Sequence, residues 1–250
     1  MLTLHRAALV LPDPADPTAP SVADGAVLVH GELIAALGPY AELAAAHPRA
    51  RLRDWGDGLL TPGLRNPYGH WLLECAYHPD PREEIGDAPV AGGLLTPAGP
   101  VDEARCGASA RRGLQRMLGF GVTAVAGPFE RAAVRTAVAR SGLTALPGPV
   151  GLPGWAGLPG GERSPAAEGP LDPLAVLPLA AAVHGRLAVG GRADFAVFAV
   201  LGAAGASGSA GSAGASGPGG RADAAGSGVG RRPAGCLATV LAGRLVYRRR

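Results

Sequence analysis

The side chains best suited to chemistry in this 250-residue chain follow one another between residues 66 and 84: Asn66, Tyr68, His70, Glu74, His78, Glu83 and Glu84. Asn66, Tyr68 and His70 are spaced two apart, so on an extended strand they share one side. A divalent metal held there needs several imidazole, thiolate or carboxylate donors. His70 is the single imidazole of that run, and Tyr68 is a poor donor at neutral pH because a phenol titrates near about 10. Taken residue by residue, His70 is a polar group hydrogen-bonded at a strand end and Tyr68 a packing residue whose hydroxyl reaches a partner. Asn66 is an amide that satisfies backbone groups. Glu74, one helical turn beyond His70, and the Glu83-Glu84 pair are carboxylates of the kind used in acid or base catalysis. The pair lies among prolines, which predicts a solvated loop.

Other chemistries lack their residues. Every basic residue is arginine, with no lysine anywhere, which excludes Schiff-base lysines, P-loop lysines and carbamylated-lysine metal bridges. Ser109, Ser141 and Thr123 have no His and Asp in a triad context, and no glycine-rich phosphate loop follows a strand. Cys75, Cys106 and Cys236 are odd in number and far apart, as expected of three reduced thiols rather than a disulfide framework or zinc knuckle. The formal charge of +3 comes from scattered arginines, with a run of three only at 248–250, and aromatics make up 4%; no nucleic-acid partner is expected. No 18-residue apolar run is free of Pro, Gly and charge, and Met1 to Arg6 has no charged leader pattern. The expectation is a soluble cytoplasmic protein with no membrane contact.

The elements that must position these residues alternate in type. Leu2 to Leu11 reads as a strand, Gly25 to Leu37 as two strands around a Gly31-Glu32 turn, and Tyr40 to His47 as a helix stopped by Pro48. Arg51 to Trp55 is another short strand. Between Asp102 and Phe120, Ala104, Ala108, Leu114, Met117 and Leu118 fall near helical spacing. Val122 to Ala126 (strand), Phe129 to Arg140 (helix) and Gly142 to Leu146 (strand) then give the rhythm of a parallel βα layer. Residues 147–170 are rich in Gly and Pro, a loop. Asp172 to Val183 predicts a short helix despite Pro178, and Ala193 to Val200 a buried strand. Residues 202–230, nearly all Gly, Ala and Ser, have too few large apolar groups to offset the entropy of ordering and are expected to be disordered. Ala238 to Tyr247 closes as a hairpin turning at Gly243.

Several blocks of sequence resemble the amidohydrolase superfamily, in the family's order. Leu59-Leu60-Thr61-Pro62-Gly63-Leu64-Arg65-Asn66-Pro67-Tyr68-Gly69-His70 is similar to its first barrel strand, which ends in two histidines one residue apart; Tyr68 stands at the first of them. Asp24 to Pro39 resembles the family's N-terminal hairpin, and Leu118-Gly119-Phe120-Gly121-Val122-Thr123-Ala124-Val125 the junction into its second barrel strand. Gly185 to Phe198 looks like the return to the small β domain, and Val240 to Tyr247 the closing hairpin. The style is nearest imidazolonepropionase and aminodeoxyfutalosine deaminase, whose two chain ends build one composite β domain.

The resemblance implies an α/β protein: a composite β-sandwich domain from residues 1–60 and 185–250, with 202–230 a disordered insertion, plus an incomplete (β/α) barrel-derived layer over 61–184 that contains the 147–170 loop. A complete barrel needs roughly 200 residues, more than lie between Leu64 and Gly185, so barrel strands four to seven have no counterpart. It also implies a metal-dependent hydrolase of carbon-nitrogen bonds other than peptide bonds, with His70 the one remnant ligand position. Of the family's later ligands only Asp172 has a candidate; His78, flanked by Pro79, and His184 lie outside the ligand positions, and Asp194 belongs to the β domain. Little or no activity and no cofactor are therefore expected, with zinc or iron the metal if a site survives. The rival expectations are a non-catalytic assembly module, self-associating or pairing with an intact relative, and a degenerate chain that folds poorly.

Overall fold

The computed structural model describes residues 1–86, 88–91, 95–96, 99–100, 102–148, 169–200 and 233–249. Most of 147–170 and all of 202–230 lie outside these residues, so the loop and disorder expected there are not addressed by the structure.

The fold is mixed α/β. Strands β1 (Leu2–Val10), β2 (Val22–His30) and β3 (Leu33–Pro39) form an antiparallel meander that runs into helix α1 (Tyr40–Ala46) and strand β4 (Arg51–Asp54). Strand β5 (Leu59–Pro62) pairs in parallel with β1, Leu9 opposite Leu59 and Val10 opposite Leu60, and β4 pairs in parallel with the earlier part of β1. After β5 the chain leaves this sheet through β6 (Leu64–Asn66), a π-helical turn (Trp71–Cys75) and a two-strand ribbon, β7 (Leu95–Thr96) and β8 (Gly99–Pro100). Helix α2 (Glu103–Leu118), β9 (Val122–Ala126), α3 (Ala132–Ser141) and β10 (Thr144–Leu146) follow. β6, β9 and β10 make a three-stranded parallel sheet in the order β10-β9-β6. The segment after residue 169 crosses back by a 3-10 turn (Pro173–Ala175) and a single turn α4 (Leu179–Ala182). β11 (Phe195–Val200), β12 (Pro233–Leu241) and β13 (Arg244–Arg248) then join the first sheet in the order β13-β12-β11-β5-β1-β2-β3.

β11 is the wall shared by the two halves of the core. Its side chains alternate with period two: Phe195 and Val197 pack with Val10, Val27, Ile34 and Leu60 of the large sheet, whereas Ala196 and Phe198 pack with Leu114, Met117, Val122 and Val125 of the α/β layer. Burial on both faces is why the sequence here is a continuous apolar run rather than an alternating one.

Two expectations need correction. The buried face of α2 is Cys106, Ser109, Ala110, Gly113, Leu114 and Met117, whereas Ala104 is exposed and Ala108 and Leu118 only half-buried. Apolar spacing alone selected a stripe slightly rotated from the true one, because the helix approaches its neighbours through small residues. The helix expected over 172–183 is two separate turns, because Pro178 has no N–H to continue the ladder and instead stands at the N-cap of α4.

Candidate functional site

The end of β6 is organised by Asn66, which is fully buried. Its Nδ2 donates to the carbonyls of Pro170 and Leu171 at 3.0 and 3.1 Å, and its Oδ1 accepts from the Tyr68 N–H at 2.9 Å. The amide therefore clamps the strand end to the returning chain, as its chemistry suggested. Tyr68 is 5% exposed and its ring lies flat on Gly169, where a Cβ would come within 2.0 Å of ring carbon. That packing, together with the Asn66 bond, holds Tyr68 in the core between strand end and return segment.

His70 opens the π-helical turn. Its Nδ1 lies 2.7 Å from the Pro128 carbonyl oxygen, which can only accept, so Nδ1 carries the proton and Nε2 the lone pair. Glu74 sits on the protonated side, Oε2 to Nδ1 being 3.7 Å. Its other oxygen is engaged: Oε1 accepts from the backbone N–H groups of Glu130 and Arg131 at 2.6 and 2.8 Å. These amides precede α3, whose N-cap residue Arg131 has no side-chain cap of its own. Glu74 thus supplies from a distant turn the negative charge that a helix start attracts.

The remaining candidates are dispersed. His78 is fully buried beneath α2, against Gly113, where any Cβ would meet its ring at 2.6 Å. Its Nε2 donates to the Leu72 carbonyl at 2.7 Å, while Nδ1 is buried with no partner among the described residues. Burial lowers its pKa to about 4, consistent with a neutral imidazole used for packing. Ser109 accepts from the His78 N–H at 2.8 Å, which explains its buried hydroxyl. Glu83 corrects the solvated-loop expectation: it accepts from the Tyr77 hydroxyl at 2.8 Å and from Arg105 at 2.9 Å, and closes a capping box with Asp80. Glu84 beside it is exposed. Asp194 accepts from the Ala242 N–H at 2.7 Å and pairs with Arg192 at 3.0 Å, fixing the closing hairpin, the structural position expected of it. Burial lowers the pKa of His184 despite the opposing charge of Asp194.

One feature had no sequence signal. Phe120, Asp172, Phe198, Cys236, Tyr247 and Arg249 line a cavity of about 370 Å³, assembled from five segments of the chain. Asp172 caps Leu174 N–H at 2.9 Å and burial raises its pKa. Burial also pushes the Cys236 thiol up to about 11, which keeps it protonated and unreactive.

A metal-dependent hydrolase requires several donors converging on one point. His70 presents Nε2 in the orientation a metal-bound imidazole has, with its other nitrogen bonded to a carbonyl. Glu74, however, lies on the opposite side of the ring with one oxygen committed to α3, and Tyr68 is buried against Gly169. Among the described residues no three His, Cys, Asp or Glu side chains come together. The described residues do not fit a catalytic metal. Nor is any helix of the described residues long and apolar enough to cross a membrane.

Comparison with known proteins gives a partial but specific match. Residues 25–50 match the family described as imidazolonepropionase-like composite domain, bacteria. Imidazolonepropionase from Pyrobaculum arsenaticum is 40% identical over 50 residues, which is 20% of this chain and 13% of that protein. Aminofutalosine deaminase from Helicobacter pylori is similar at a TM-score of 0.40 and 17% identity, over 59% of this chain and 33% of that one. An adenosine deaminase from Xanthomonas campestris with bound zinc is similar at a TM-score of 0.39 and 23% identity, over 58% of this chain and 33% of that one. The chain thus spans about a third of the length of these solved structures. At residues 25–50, the β2-β3 hairpin and α1, the chain is similar to the imidazolonepropionase-like composite domain.

Proposed function

We propose that this chain is an amidohydrolase-like protein, related to hydrolases of non-peptide carbon-nitrogen bonds, that has little or no hydrolytic activity of its own. In this proposal residues 1–60 and 185–250 make a composite β-sandwich domain, and residues 61–184 are a reduced barrel-derived layer. The observation that carries it is the use made of the groups around His70: the nearest carboxylate caps α3 and the tyrosine two residues earlier is core. His70 is then a remnant ligand position without companions, and no zinc or iron is retained.

The test is metal analysis of the purified chain and of the Tyr68→His variant, with hydrolysis assayed on cyclic amides and aminated purines. Neither protein should hold zinc or iron near one equivalent, because restoring one imidazole leaves the later ligands missing. Tightly bound stoichiometric metal in the unaltered chain, or metal-dependent hydrolysis, would overturn the proposal.

One observation favours a second role, as an assembly module. Among the described residues the parallel sheet ends at β10, which pairs with β9 alone, and such an edge is a template for further strands. Self-association should then appear as a dimer or larger species in light scattering; a monomer at all concentrations would remove this role.

A further inference from the structure

The strand β4 brings an unusual set of charges together. Parallel pairing sets Arg51 beside Thr3 and Arg53 beside His5, and strand alternation places Arg51, Arg53 and Trp55 on one face. The opposite face carries Asp54, which pairs with Arg6 at 3.0 Å. On the arginine face Trp55 has two neighbours: its Nε1–H donates to His5 Nδ1 at 3.4 Å, with the ring centroids 6.1 Å apart, and the Arg248 guanidinium from β13 lies 5.7 Å from its ring. His5 is itself fixed edge-on against Phe195 at 4.9 Å. Trp55 therefore serves as a rigid post that holds Arg248 near β4.

Arg53 lies in the midst of this cluster. Its Nε–H is buried and has no hydrogen-bond partner among the described residues. The charges acting on it are those of Arg51 and Arg248, and together with burial they lower its pKa. Among the described residues no carboxylate is one of the charges acting on it. Three guanidinium groups gathered from two strands, one with a buried unsatisfied donor, are costly in the absence of an anion. Arginine forks match oxyanions with several acceptors, and a doubly charged phosphate offers enough oxygens for three of them where a single carboxylate does not.

We propose that Arg51, Arg53 and Arg248 form a binding site for a phosphate group, with Trp55 positioning Arg248. The site does not depend on the proposed loss of hydrolysis, since it lies on the large sheet and uses none of the residues around His70.

Calorimetric titration of the full chain with inorganic phosphate and with glycerol 3-phosphate, at constant ionic strength and pH 7, tests it. Saturable binding is expected, weakened at least tenfold by Arg53→Gln. Arg51→Gln and Arg248→Gln, both at exposed positions where folding is not at risk, should weaken it similarly, and Arg140→Gln on the exposed side of α3 should leave it unchanged. Co-sedimentation with phosphatidylcholine vesicles containing phosphatidate separates two sources of the same group. Retention lost in the three variants assigns a lipid-borne phosphate, and soluble binding alone assigns a small-molecule one; both uphold the site. Absence of saturable binding in every arm, or binding indifferent to all three arginines, overturns it.

Discussion

Removing the Glu74 carboxylate is the sharpest test of how the residues around His70 are used. Glu74→Ala deletes one oxygen that accepts two backbone N–H groups at 2.6 and 2.8 Å, at the start of a helix with no side-chain cap of its own. The Glu74 side chain is 6% exposed, so water replaces the lost acceptor poorly. A hydrogen bond to a charged group contributes about 1.5 kcal/mol or more, so two of them give a loss of about 3 kcal/mol. Glu74→Gln keeps an acceptor oxygen and loses only the charge, including its attraction to the helix start, for about 1 kcal/mol. Urea unfolding followed by circular dichroism reads both. With a slope of about 3 kcal/mol per molar urea, the midpoint of Glu74→Ala should fall by about 1 M and that of Glu74→Gln by about a third of this. A Glu74→Ala protein within about 0.5 kcal/mol of the parent, set against the expected loss, would refute the capping role and return the carboxylate to the list of groups free for chemistry.

Two further outcomes follow from buried groups. His5 and His78 have pKa values lowered to about 3 and about 4 by burial, so the unfolded chain takes up protons that the folded one refuses. The stability that neutral burial supplies is whole above about pH 6.5 and falls as pH drops below that value, by about 2 kcal/mol per imidazole at pH 5; denaturant titrations at pH 7 and pH 5 measure it, and equal stability at the two pH values would contradict the burial argument. Asn66→Ala should lower stability by about 2 kcal/mol or more, because it strands two carbonyls and one N–H that the amide now satisfies; hydrogen exchange should show the Tyr68 amide losing protection, and unchanged exchange there would mean that the clamp is not made in solution.

Local elements were readable in the sequence wherever short-range chemistry decides them. The hairpin turn at Gly31 needs a left-handed backbone, which the glycine supplies with φ of 61°. The β9 strand at Val122–Ala126 follows from a β-branched run between glycine and proline. Asn66 was legible for the same reason, since an amide two residues before Tyr68 is the right length to accept its N–H. The role of Glu74 was not legible: its partners, Glu130 and Arg131, are more than 50 residues away along the chain, and nothing in their types marks them as amides in need of a cap. The solvated reading of Glu83 failed likewise because Arg105 reaches it from a helix that the sequence does not connect to that loop.

By itself, the sequence determined the alternation of strands and helices, the exclusion of lysine chemistry, and the resemblance of residues 25–50 to an imidazolonepropionase-like composite domain, because these depend on residue type and on neighbours a few positions away. Only the tertiary structure decided which groups are available. It spends the Glu74 carboxylate on α3, buries Tyr68 against Gly169, leaves His70 without companion ligands among the described residues and brings Arg248 to Trp55 near Arg51 and Arg53. The physical reason is that hydrogen-bond partners and charge neighbours are set by proximity in space, and proximity between β4 and β13, or between the π-helical turn and α3, exists only once both cores have closed around β11.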